Sequence, residues 1–438
     1  MQPTALTVAV KEAVARKGSA YVEMIRELVR ASVNGDEAAG ECVAALMKQV
    51  GGNVTIIRRS FDEATVGTQP PEPVGPASQE PPRGNVVGTW NGAGRGRSMI
   101  LFAHHDSPAP SGLDRWRYPA FDPQIVDGRL YGWGAADDKS GVAAMIAAVD
   151  ALREAGLPPA GDVTLVSCVS KNRARGMAVV LAQGLRADGC IYLHPAESRR
   201  GLCEVKNVTP GLLDMRISVD GRAPETSEPR HTPFAHQGEN AAAKLVRIAA
   251  ALLDLDAARG ARVSHPAFHG PLGRSTNLMI GAISGGDGVR KVPVRCSLDC
   301  SVTFPEPETI ASVQAEIQGA VDTVKAADPW LQEHLPTIEW LEATQPAGIP
   351  ADHPLFQVVG QSIAAVTGRP PQPYAGHSAS DIRIPMTFAG IPAVGFGPRC
   401  TQIAAAGADD ESIEIAEFLD TVSATALILA NWCGVEER

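Results

Sequence analysis

Apolar positions recur in two rhythms along the first half of the chain. From Tyr21 to Val33 and from Ala38 to Val50 they keep helical spacing, and the second run stops at Gly51-Gly52. Val54 to Arg58 then reads as a strand. Met99-Ile100-Leu101-Phe102-Ala103 is short, unbroken and ends abruptly at His104-His105-Asp106. Such a run between polar turns predicts a strand of a parallel sheet buried on both faces. An Ala-rich stretch over 140–154, closed by Gly156, predicts a helix. The β-branched run Val163 to Val169 and the stretch Gly189 to Leu193 predict two more strands. Strands alternating with helices of about 12–15 residues mark a layered α/β domain. Residues 68–84 hold six prolines without periodicity and predict a surface loop.

Near residue 209 the pattern changes. Leu212 to Val219 alternates with period two, and a helix is predicted over Asn240 to Leu253. Strands at about 275–283 and 293–304, a helix from Glu308 to Val324 and a strand at about 337–341 follow. The order βαββαβ is that of a ferredoxin-like α+β unit with one sheet face covered. Ile391 to Pro398 reads as a late strand. A length of 438 residues also favours two domains over one core.

Composition narrows the function classes. Apolar residues make up 44% and charged residues 20%, as in an ordinary globular protein. A net charge of −10 argues against a nucleic-acid partner, and the basic groups at 171–175 and 199–200 are local. No apolar stretch reaches the ~18 residues of a membrane span, so no membrane partner is expected. The first residues lack a secretory signal pattern. Eight scattered cysteines without CxxC pairs favour reduced thiols, and a cytoplasmic setting is expected.

The candidate chemistry lies between His104 and Lys139. Ligands of open α/β sheets gather just past the carboxyl ends of strands, where His104-His105-Asp106 falls. Asp137 stands at or just before a helix N-terminus. Imidazole and carboxylate together suit a divalent metal such as Zn or Mn. The stretch HHDSPAPSGLDRWRYPAFDPQIVDGRLYGWGAADDKSG resembles the metal-binding core of the M20 metallopeptidase and amidohydrolase family. The matching features are His104-x-Asp106, the Trp116 to Phe121 loop, Asp127 to Gly132, and Asp137-x-Lys139. The resemblance implies an α/β catalytic domain with a mixed central sheet flanked by helices, formed by 1–208 and 344–438. It also implies an inserted ferredoxin-like lid and dimerisation domain over 209–343, and hence a homodimer.

Several positions depart from the family pattern. The family holds two metals bridged by one Asp, matched by Asp137. The first metal takes a His, matched by His104, and a later carboxylate, whose place is held by His194 in "YLHPAES". The family's Glu pair, which supplies the general base and a ligand of the second metal, aligns with Lys171-Asn172. The last ligand of that metal, a His, aligns with Gly407. Both losses fall on one metal, so one divalent ion per chain, Mn or Zn, is expected, held by His104, Asp137 and His194. Candidate proton carriers are Lys171, Glu197, and His105 or Asp106, with Asp106 better suited to orienting His104. The resemblance places His231 and His236 in the lid segment that reaches an active site, and His377, Ser380 and Asp381 along the pocket. Arg399 is a candidate anchor for a substrate carboxylate. Basic loops around the ligands suit a small anionic substrate.

These features predict a metal-dependent hydrolase acting on a C–N bond. The altered site is similar to that of M20 aminohydrolases that replace the amine of a nitro-activated aromatic ring by water, where substrate activation compensates for the missing metal. The alternatives are an N-acyl amino-acid amidohydrolase with an unusual base and an inactive binding protein of the same fold.

Overall fold

The computed structural model describes residues 3–64, 83–169, 175–195, 198–377, 379–401 and 409–436. Most of the predicted proline-rich loop, and the positions Lys171, Asn172, Glu197 and Gly407, lie outside the described residues. The chain divides into two compact units. One holds the described residues up to Val208 and from Gly348 onward; the other holds Thr209–Ala347.

The first unit is built on an eight-stranded mixed sheet. Its order is Asn53–Arg58, Gly84–Trp90, Val163–Cys168, Met99–His104, Gly189–Leu193, Ala393–Phe396, Glu204–Lys206 and Gln372–Tyr374. The four middle strands run parallel, in register His104 with Cys168, Phe102 with Tyr192, and Phe396 with Leu193. Every residue of Met99–His104, Val163–Cys168 and Gly189–Leu193 is buried, as expected of strands covered on both faces. The helix Ser140–Glu154 is buried from Ser140 through Leu152, and its alanines let Pro3–Ala31 and Ile415–Cys433 pack closely against it. Two of the differences from expectation have a clear physical cause. The first helix begins at Pro3 rather than Tyr21, because Val10, Ala13 and Val14 extend its buried stripe through an Ala-rich segment of weak periodicity. The strand Gly84–Trp90 was not expected next to so many prolines; it is secured by antiparallel pairing on both sides.

Close approach of backbone sets the geometry at the sheet's carboxyl edge. A Cβ on Gly141 would overlap the Leu193 carbonyl oxygen, so only glycine lets the helix Ser140–Glu154 start against that strand end. A Cβ on Gly397 would lie 2.7 Å from the His194 carbonyl carbon, so the chain after Ala393–Phe396 also passes directly over His194.

The second unit is a four-stranded antiparallel sheet ordered Asn277–Gly285, Arg295–Phe304, Gly211–Asp220 and Thr337–Thr344. The buried residues Cys296, Leu298, Cys300, Val302 and Phe304 alternate with more exposed ones, so one face forms the core with the helices Ala241–Arg262 and Ile310–Ala326. Asn240 caps the first of these helices, and Thr309 with Ser312 forms a capping box on the second. Among the described residues no helix is long and apolar enough to cross a membrane. All eight cysteines are free thiols.

Candidate metal centre

His104 is the last residue of the strand Met99–His104, and His194 follows the neighbouring strand Gly189–Leu193. Their rings therefore leave the sheet side by side, 6.0 Å apart. Asp137 comes to them from the loop before the helix Ser140–Glu154, whose first turn rests on the end of the second strand. Asp137 Oδ1 lies 2.8 Å from His104 Nε2 and 3.1 Å from His194 Nε2. The three ligand atoms lie within 4.8 Å of one another, and all three residues are buried.

The other nitrogen of each ring is held by backbone. His104 Nδ1 donates to the Asp106 carbonyl at 3.0 Å, and the Asp106 carboxylate stands at 3.4 Å. His194 Nδ1 lies 2.8 Å from the Pro195 carbonyl and 3.0 Å from Lys206 Nζ. A proton on His104 Nδ1 leaves its Nε2 lone pair facing Asp137, the tautomer that metal ligation requires. Two imidazoles and one carboxylate thus fit a divalent transition metal.

Charge around the three donors points the same way. Asp106, Asp137, Asp138 and Glu411 are fully buried, and so are Lys139 and Lys206. With every group ionised the carboxylates exceed the ammonium groups by the charge of one divalent ion. Burial and its neighbour Asp137 hold the Asp138 carboxyl well above the usual carboxylate range, although His104 opposes this. Burial and Asp137 likewise push Glu411 up to about 7. A bound cation would relieve both.

Asp138 Oδ2 accepts from the His104 backbone N–H at 3.3 Å, and the peptide between Asp137 and Asp138 is cis. Lys139 donates to Ser107 Oγ at 2.7 Å, and burial lowers its pKa. His105 turns away from the three donors to bond Ser167 Oγ at 2.9 Å, and burial lowers its pKa to about 4. It is a core histidine, unsuited to carrying protons near neutral pH.

Other expected site residues stand as follows. The His377 ring meets His194 edge-on at 5.7 Å, and Ser380 is buried two residues before Ile382, which packs in the core. Asp381 pairs with Arg383 at 2.9 Å. Arg399 lies along Glu414 and Glu417, with its guanidinium 3.5 and 3.6 Å from their carboxylates. Within the second unit, His231 is buried and accepts from Val292 N–H at 3.2 Å, whereas His236 is exposed at the end of a short helix.

Two residues at the site were missed by sequence reasoning. Lys206 places Nζ 3.0 Å from His194 Nδ1 and 3.1 Å from the Pro195 carbonyl, to which it donates. Nothing in the sequence around Lys206 signals that. Glu411 accepts from three backbone N–H groups of the loop carrying Asp137. Its signal was its place next to the segment in which the family keeps a ligand.

An α/β sheet presenting buried imidazole and carboxylate donors past parallel strand ends is the arrangement of a metallohydrolase. A profile described as Peptidase family M20/M25/M40 matches residues 100–431. The chain belongs to that family and is a metal-dependent hydrolase. Succinyl-diaminopimelate desuccinylase of Rhodospirillum centenum is 28% identical over 375 residues, covering 82% of this chain and 88% of the relative. An N-formyl-4-amino-5-aminomethyl-2-methylpyrimidine deformylase of Halalkalibacterium halodurans is 25% identical over 354 residues, covering 78% and 80%. Among solved structures, a Staphylococcus aureus tripeptidase shares the fold with a TM-score of 0.69 at 18% identity, covering 95% of this chain and 98% of its own.

Proposed function

We propose that the protein hydrolyses a C–N bond at a single divalent metal, Mn or Zn, held by His104, Asp137 and His194. The proposed substrate is a small anionic aromatic amine activated by a nitro group, with 5-nitroanthranilate the best fit. The observation that carries this reading is the approach of two imidazoles, His104 and His194, to one Asp137 oxygen. Asn172 and Gly407, standing where the family keeps ligands of its second metal, and Lys171, a cation in the place of the family's base, support one ion over two. When bound, a divalent ion supplies Lewis acidity and activates water as a nucleophile.

In the proposed reaction the water oxygen bonds to the ring carbon and the C–N bond breaks. The amino group leaves as ammonia, taking up a proton that the water gives up. The nitro group accepts the electron pair during addition and returns it on departure, so the barrier is lower than for an unactivated amine. The chain's own residues orient and shuttle. Asp106 and Pro195 fix the two rings, and Lys171 and Glu197 are the proposed proton carriers. His377 and Ser380 line the substrate side, Arg399 is the proposed carboxylate anchor, and His231 or His236 is the proposed contribution of the second unit. A homodimer is the proposed assembly.

A second reading is favoured by the names of the relatives, a desuccinylase and a deformylase. Under it the substrate is an N-acyl amine. Metal-loaded protein assayed with 5-nitroanthranilate should release ammonia and 5-nitrosalicylate in equal amounts. Turnover of N-succinyl, N-formyl or N-acetyl compounds alone would replace the first reading by the second.

A further inference from the structure

We infer that Glu411 is a positioning residue for the metal site, clamping the loop that presents Asp137. This rests on the metal reading above and concerns a residue that does not itself reach the metal's donors. Glu411 Oε2 accepts from Gly134 N–H at 2.9 Å, and Oε1 accepts from Ala136 and Asp137 N–H at 2.8 and 2.9 Å. Its backbone carbonyl accepts from Gly132 N–H at 3.1 Å. Asp137 needs such support, because its backbone (φ −119°, ψ 82°) belongs neither to the turn at Gly134 nor to the helix that follows.

The clamp has a rigid base. Ser412–Glu414 pairs antiparallel with Arg129–Tyr131, which fixes Glu411 opposite the start of the ligand loop. Asp410 holds a different loop, ahead of the strands Gln124–Val126 and Arg129–Tyr131, accepting from Arg117 and Tyr118 N–H at 2.8 and 3.3 Å. The two acidic residues therefore divide the work. Asp410 orders a stretch remote from the donors, whereas all three N–H groups on the Glu411 carboxylate lie within three residues of Asp137, and one is Asp137's own. The segment that has lost the family's last metal ligand at Gly407 keeps, through Glu411, a hold on the remaining site.

The test compares Mn(II) affinity, by chelator competition and by the EPR spectrum of the bound ion, with the melting temperature of the metal-free protein. Glu411→Ala should weaken Mn(II) by about 10- to 100-fold, the usual cost of losing a group that orients a ligand, and broaden the bound spectrum. Glu411→Gln keeps an oxygen for Ala136 and Asp137 but turns its amide nitrogen toward Gly134, so its affinity should fall between that of Glu411→Ala and that of wild type. Asp410→Asn should lower the melting temperature and leave Mn(II) affinity within about twofold. Unchanged affinity in folded Glu411→Ala, or equal weakening by Asp410→Asn, overturns the inference. Should Glu411→Ala not fold, Glu411→Gln decides by the same measure. A wild type that binds no Mn(II) overturns the metal reading itself.

Discussion

At the residue scale, His194 is the position on which the site turns. A carboxylate in that place would bring its own negative charge to the metal. An imidazole brings none, and Lys206 beside it adds a positive charge to the surroundings. Both features support the small anionic substrate proposed above. Removing the ring in His194→Ala leaves two donors, and the protein should lose its metal on dialysis while wild type retains it. Asp106→Asn should be milder. The nearer acceptor for His104 Nδ1 is the Asp106 backbone carbonyl, at 3.0 Å against 3.4 Å for the carboxylate. Metal affinity is expected to fall by less than about tenfold, and abolished binding would show that the carboxylate alone orients the ring.

At the scale of elements, the start of the helix Ser140–Glu154 against the end of Gly189–Leu193 brings Asp137 to His194. Gly141→Ala forces that contact apart and should cost about 3 kcal/mol of stability and weaken metal binding together. Gly319, in the helix Ile310–Ala326, has open space where a Cβ would go. Gly319→Ala should therefore stabilise the protein by about 0.8 kcal/mol, measured by chemical denaturation, without touching the metal. The elements around the site were legible because strands buried on both faces read as continuous apolar runs, and because His104 and His194 each end one. The strand Gly84–Trp90 was not, since two glycines and the preceding prolines hide a segment whose stability comes from its neighbours. Glu411 and Lys206 were illegible for a related reason. Their roles are contacts, and Glu411 reaches a loop more than 270 positions earlier in the chain.

At the scale of the whole molecule, folding and metal binding are linked, because the donors converge only when the sheet and the buried helix are formed. A metal at about 100 times its Kd should add about 2.7 kcal/mol to stability. The second unit carries its own acid sensitivity. Burial raises the Asp328 carboxyl, but its bonds to Lys244, both 3.0 Å, and to the N–H groups of Trp330 and Leu331 outweigh this and hold it below the usual range. A lowered folded pKa means this stabilisation is complete above the unfolded value of about 3.9 and is lost as pH falls through the lower folded value. Asp328→Asn should flatten the acid limb of the stability profile below about pH 4; an unchanged limb would assign it to other carboxylates.

The most direct test of the central claim is the metal content of dialysed protein, wild type beside His194→Ala. One equivalent per chain in wild type and none in the variant is the expected result. Two tightly held equivalents, or one that survives the loss of His194, would contradict it.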